Sequence, residues 1–217
     1  MSNNSVVIRA FMHHEFSKVL MIKFSDDQVH SIMRKTDTVL LYNTESELIG
    51  VNLLNTPFSN HGYIRPDDSL RNYIEKRLSL LDLDIEIDQK SYFVSGRILK
   101  MSLHPDSDHL NVCSVDIGEK TVNIVSSAKN IKENMFVVVA LPKAVLPDGM
   151  MITESKVAGI ASHGMMCSLS EITGGKKPVK GLIELPKGTV CGSVVDIAGL
   201  GEDRKSTRLN SSHGIIS

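Results

Sequence analysis

The sequence predicts two consecutive domains. Residues 1–90 read as an α+β domain, an antiparallel sheet with one helix, and residues 91–202 as an all-β barrel or sandwich. Three observations carry this. Residues 5–88 hold several strand-like runs but a single stretch of apolar residues at helical spacing. Beyond residue 90, short apolar runs return at roughly 8–12-residue intervals between Gly and Pro turns. At 217 residues with 41% hydrophobic side chains, the chain can bury two ordinary cores.

In chain order, Val6–Met12 and Lys18–Phe24 read as strands, as do Thr38–Tyr42 and Leu48–Leu54 across the turn-like Asn43-Thr44-Glu45-Ser46. Leu70, Ile74, Leu78 and Leu81 then recur at helical spacing, opposite Arg71, Glu75, Lys76 and Arg77. Asp67 and Asp68 sit where a helix N-terminus favours negative charge. Leu83-Asp84-Ile85-Glu86-Ile87-Asp88 alternates as a half-buried strand does, and the domain boundary falls near Lys90. A strand carrying Arg97 and Lys100 follows, turning through His104-Pro105-Asp106-Ser107-Asp108-His109-Leu110. Further strands are expected at Asn111–Val115, Thr121–Val125, Met135–Leu141 and Met150–Lys156, with Leu182–Leu185 and Val190–Ile197 returning.

Composition narrows function. No apolar run approaches the roughly 18 residues of a membrane span, and no basic-then-apolar leader is visible. Cys113, Cys167 and Cys191 are odd in number and show no metal-ligand spacing, which fits a reduced, cytoplasmic compartment. His13-His14-Glu15 on a strand would point to alternate faces and so does not read as a metal site. Pro105-Asp106-Ser107-Asp108 reads first as a turn. No nucleophile–base pair stands out. The chain reads as non-catalytic, with no cofactor.

The net charge is −3 over residues 1–90, 0 over 91–202 and +2 over the last fifteen residues. Any nucleic-acid affinity must therefore rest on a local patch. A single-strand or loop binder needs a groove that tracks phosphate and a flat surface for bases. Arg97 and Lys100, three apart on one strand, are expected on opposite faces; Lys129, Lys132, Lys143 and Lys156 fall at strand ends or loops. Solvation is the plain alternative for each lysine.

Five motifs occur in fixed order: His104-Pro105-x-x-Asp108-x-Leu110, Val115-Asp116-x-Gly118, Ile124-Val125-x-x-Ala128-x-Asn130, Ala140-x-Pro142-x-Ala144-Val145-Leu146-Pro147, and Ser155-Lys156-x-x-Gly159-Ile160-x-Ser162-x-Gly164-Met165-x-Cys167-Ser168. Together they resemble the tRNA-binding domain of phenylalanyl-tRNA synthetase β subunits and of methionyl-tRNA synthetase C-termini. With a segment of some ninety residues in front, the layout resembles the YtpR family of tRNA-binding-domain proteins. The resemblance implies an OB-fold, a five-stranded Greek-key barrel that binds oligonucleotides on one face. It also implies tRNA as partner, with Asn130, Ser162, Gly164 and Met165 by the RNA-contacting face; the rival reading makes Gly159, Gly164 and Met165 barrel-closing and core residues. A homodimer is implied by the same analogy, and an aminoacyl-tRNA synthetase or translation factor is a further possible partner.

The departures from the family pattern bear on strength. His109 replaces a usual Lys, Ser126-Ser127-Ala128-Lys129-Asn130 replaces Cys-Gly-Ala-Pro-Asn, and Ala158 takes a commonly basic position. Each lost phosphate contact lowers affinity and salt dependence. The alternative reading is therefore a protein-interaction module that tethers a synthetase or translation factor, its RNA affinity lost. A third reading makes residues 1–90 an enzyme or ligand-binding unit that the barrel delivers to RNA. Gly174-Gly175-Lys176-Lys177-Pro178 reads as a mobile basic loop. Residues 203–217 resemble the translation of a sequencing-adapter read-through and are expected to be a disordered, non-native tail.

Overall fold

The computed structural model describes residues 6–12, 16, 18–58, 62–64, 67–83, 85, 87–88, 90–173, 181–197 and 200. The protein is mostly antiparallel sheet with few helices. It divides into two units, residues 1–90 with 147–149, and residues 91–146 with 150–217. The His13-His14-Glu15 run, the 174–178 loop and the 203–217 tail lie outside the described residues.

The first unit holds β1 (Arg9–Met12), β2 (Leu20–Lys23), β3 (Ser31–Lys35), β4 (Thr38–Tyr42), β5 (Leu48–Leu53), β6 (Gly62–Ile64) and α1 (Asp68–Ser79). The strands form one antiparallel sheet in the order β3-β4-β5-β2-β1-β6. Ala10, Met12, Leu20, Ile22, Leu40, Val51 and Leu53 alternate onto one face, and Leu70, Ile74 and Leu78 of α1 join the same core. Fully burying one such side chain contributes about 1.5–3 kcal/mol, so this seam holds the helix in place.

The ends of α1 are written locally. The Asp67 carboxylate accepts from Leu70 N at 2.8 Å, capping the first turn. Asp68 and the pair Lys76/Arg77 match the helix dipole at either end. The helix stops where Asp82 takes a φ of +56° and Leu83 N returns to Leu78 O at 3.3 Å.

Two strands, β3 and β6, are additional to those read from the sequence. In β3 all five residues are exposed, so no buried period betrays it, and β6 is three residues long. Leu83, Ile85 and Ile87 do turn into the first core, and among the described residues of this run Ile87 forms a bridge with Val6 and no strand is present.

The second unit holds β7 (Phe93–His104), β8 (Ser107–Asp116), β9 (Thr121–Ser126), β10 (Phe136–Ala140), β11 (Ser155–Val157), β12 (Ile160–Ser162), β13 (Met165–Met166) and the short α2 (Leu169–Thr173). Five strands form an antiparallel sheet in the order β13-β10-β7-β8-β9, and β11 and β12 form a separate hairpin. Beyond β9, His163 N donates to Asn123 O at 2.9 Å, so the segment that leads into β13 returns to the far edge of the same sheet. In β10, Val137 and Val139 enter one core and Val138 and Ala140 another, which explains its unbroken apolar run. Gly96 is required where β7 curls: a Cβ there would meet Val115 and Val139 methyls at 2.9 Å each.

The expected returning strands at the end of the chain appear as bridges, Leu182 with Ser168, Glu184 with Val137 and Val194 with Val94. Of the 150–156 run, Met151 bridges Val145 and only Ser155–Lys156 enter a strand.

Candidate nucleic-acid interface

The β7–β8–β9 sheet has a core side and an outward side, and a bulge decides which residues stand on each. Ile98 pairs with Val115 and Lys100 with Ser114, so Leu99 is an extra residue in β7. Two side-chain periods are thereby shifted by one. Arg97, opposite Asp116, and Lys100, opposite Ser114, stand on the same face, against the expectation that three residues of separation would split them. Three outward rows result: Arg97–Asp116–Thr121, Lys100–Ser114–Asn123 and Ser102–Val112–Val125. The last places two half-buried valines beside polar neighbours.

Two loops flank this face and are tied to each other. The turn between β7 and β8 is held by Asp106 N, which donates to His104 Nδ1 at 3.1 Å. With Nδ1 accepting, Nε2 carries the hydrogen and donates to Val157 O of β11 at 3.3 Å. His104 is 3% exposed, so its ring is shielded from bulk solvent. The β11–β12 hairpin turns through Ala158 and Gly159, at φ +48° and +89°, the signature of a type I′ turn.

The residues expected to contact RNA separate into two groups. Lys100, Lys129, Lys143 and Lys156 are exposed. Lys156 lies on β11, and Lys143 sits in a turn at φ +79° with its backbone N bonded to Ile152 O at 2.8 Å. The others are engaged by the protein. Arg97 donates to Asn134 Oδ1 at 2.5 Å and its guanidinium lies 5.7 Å from the centre of the Phe136 ring. Asn130 clamps the backbone of Leu182, accepting from its N at 2.8 Å and donating to its O at 3.1 Å. The Ser162 hydroxyl, in a residue 3% exposed, accepts from Val125 N and donates to Gly164 O, both at 3.1 Å. Met165 packs, partly buried, against the core that holds Val138 and Cys167.

Ser114, Asn123 and His163 were not singled out by sequence. Their pattern signal is slight: Ser114 and Asn123 are alternate residues of strands whose apolar partners dominate, and His163 fills an unspecified motif position. His163 Nδ1 is buried without a hydrogen-bond partner among the described residues.

None of the three cysteines is tuned as a nucleophile. Burial raises the Cys113 thiol to about 11. Burial, reinforced by the Glu171 charge, raises Cys167 to about 12. Cys191 is also raised, by burial and then by Asp116. Among the described residues no group of three or more His, Cys, Asp and Glu is placed to hold a metal ion. No helix among them is long and apolar enough to cross a membrane.

Known proteins share sequence with this region. A family model described as "Putative tRNA binding domain" matches residues 93–194. The phenylalanine–tRNA ligase β subunit of Desulfotalea psychrophila is 39% identical over 124 residues, 55% of this chain and 15% of that protein. That of Clostridium tetani is 45% identical over 106 residues, 48% of this chain and 13% of that protein. The Bacillus subtilis protein described as "Putative tRNA-binding protein YtpR" is 31% identical over 143 residues, 63% of this chain and 71% of that protein. The chain thus spans only a small part of the ligase subunits it matches, and most of the Bacillus protein.

Proposed function

We propose that this chain, which belongs to the YtpR family of tRNA-binding-domain proteins, binds tRNA on the outward face of β7, β8 and β9 and catalyses no reaction. The observation that carries the reading is the row Lys100–Ser114–Asn123, flanked by two loops that His104 pins together. An OB-fold binds oligonucleotides on its second and third strands and on the loops that follow its first and fourth strands. Here β8 and β9 would be those strands, and the β7–β8 turn and the segment bearing β11 and β12 those loops. The return of His163 to Asn123 supports closure into such a barrel. Lys100 and Lys156 would meet phosphate and Lys129 and Lys143 would extend the track, while Val112 and Val125 would give bases a small apolar surface. Arg97, Asn130, Ser162 and Met165 would hold the face in shape: Arg97 through the Nη2 bond to Asn134, Asn130 and Ser162 through their hydrogen bonds within the protein, and Met165 through its apolar packing. Location in the cytoplasm, a homodimer, and a synthetase or translation factor as further partner belong to the same reading.

The test is tRNA binding by fluorescence anisotropy across a salt titration, with duplex DNA as control. Preferential tRNA binding is expected, with Lys100→Ala and Lys156→Ala each weakening it and reducing the salt slope by about one. Absence of tRNA binding at low salt would shift the balance to a protein-interaction module, a role that the zero net charge of residues 91–202 favours.

A further inference from the structure

The first unit contains an arginine whose bonding is half complete. Arg9 lies on β1, between Ile8 and Ala10, which enter the core shared with α1; its own side chain therefore stands on the opposite face of the sheet. That side chain is only 5% exposed. Nη1 is held by Asp26 Oδ1 at 2.7 Å, and the same oxygen accepts from Lys23 Nζ at 3.2 Å. Nε and Nη2 are buried and have no hydrogen-bond partner among the described residues.

These two nitrogens are not an arbitrary pair. They form one edge of the planar guanidinium, with parallel N–H bonds spaced to fit the two oxygens of a carboxylate or phosphate. A buried charged donor without an acceptor bears its full desolvation cost, and here two of them share one edge that has no acceptor among the described residues. The charges around it favour an anion: Arg9 and Lys23 carry two positive charges against the single negative charge of Asp26. Asp26 is well served by its two cationic neighbours, which hold its carboxyl below the usual range, Arg9 foremost. It has no spare charge to give the far edge of the guanidinium. The side chains of Lys23 and Asp26 are 45% and 64% exposed, so the cluster reaches solvent on their side.

We infer that the Nε/Nη2 edge of Arg9, in a cluster to which Lys23 is tied through Asp26, is a binding site for the phosphate or carboxylate group of a small anion. The site belongs to the first unit and does not depend on tRNA binding.

The experiment observes the Arg9 Nε–H resonance in the ¹⁵N-labelled full chain, titrated with inorganic phosphate and, separately, with acetate at matched ionic strength. A saturable shift with a midpoint in the range of about 1 mM or below is expected for at least one anion. Phosphate binding the more tightly would assign a phosphorylated ligand, and acetate a carboxylate. Arg9→Lys keeps the charge and loses the edge; thermal unfolding of this variant is expected to show none of the saturable anion stabilisation seen in the parent. Should Arg9→Lys fail to fold, Lys23→Gln, at an exposed position, is expected to weaken the midpoint at least threefold or so by removing one of the two cations. No saturable Arg9 shift with either anion overturns the inference. So does equal anion stabilisation in parent and Arg9→Lys, or an unchanged midpoint in Lys23→Gln.

Discussion

Asn130 shows how a side chain chosen for its chemistry can be used by the fold. Its amide supplies one donor and one acceptor to a single backbone residue, Leu182, much as a neighbouring strand would. Gly181 leaves the room, since a Cβ there would lie 2.9 Å from the Asn130 amide. Asn130→Ala should therefore act on stability, by about 1–3 kcal/mol, because a buried backbone pair loses both partners. A urea titration followed by circular dichroism checks this, and Asn130→Asp, which keeps only the acceptor, should fall between. The sequence marked Asn130, Ser162 and Met165 as important through motif spacing. A core role for Met165 was open from the sequence, but nothing marked the amide of Asn130 or the hydroxyl of Ser162 as already engaged, because Leu182 and Val125 lie far off in sequence.

At the scale of elements, legibility follows burial. Strand β4 was read at its own limits, and α1 within two residues, because alternating or helical burial imprints a period on the sequence. Strand β3 imprints none. The Leu99 bulge was equally silent, since one unpaired residue in a twelve-residue strand leaves the composition unchanged. Yet it determines which cations share a face. The pairing of the two flanking loops was also illegible, for it rests on one histidine bonded to a residue 53 positions away. His104→Ala should cost about 1–3 kcal/mol through the unsatisfied Val157 carbonyl and Asp106 amide. Its distinctive effect should be local: faster hydrogen exchange in β11 and β12, with β10 unchanged. Equal acceleration in both would show that His104 serves the whole unit and not the loop contact.

For the whole molecule, the pH response at the alkaline end follows from its thiols. Cys113 and Cys167 are raised from 9.0 to about 11 and about 12, so the folded chain retains protons that the unfolded chain gives up. Their contribution to stability is fully present below pH 9.0 and is lost as pH rises through about 11 and about 12. Urea midpoints should fall over that window, and the fall should be shallower in the Cys113→Ala/Cys167→Ala double variant, whose neutral-pH stability is set by packing instead. The first sheet has a different bearing on behaviour in solution. Its outermost strand, β3, meets no further strand on its outer side among the described residues, and it presents Ile32 and Met33 half in water, at 52% and 51% exposure. Such a border can serve as a template on which a like strand from another molecule nucleates. Yield on refolding should then fall as protein concentration rises, with light scattering growing faster than linearly. Ile32→Lys should suppress that growth and leave the monomer's melting point nearly unchanged, so handling history, and not sequence alone, would decide how much of this protein stays in solution.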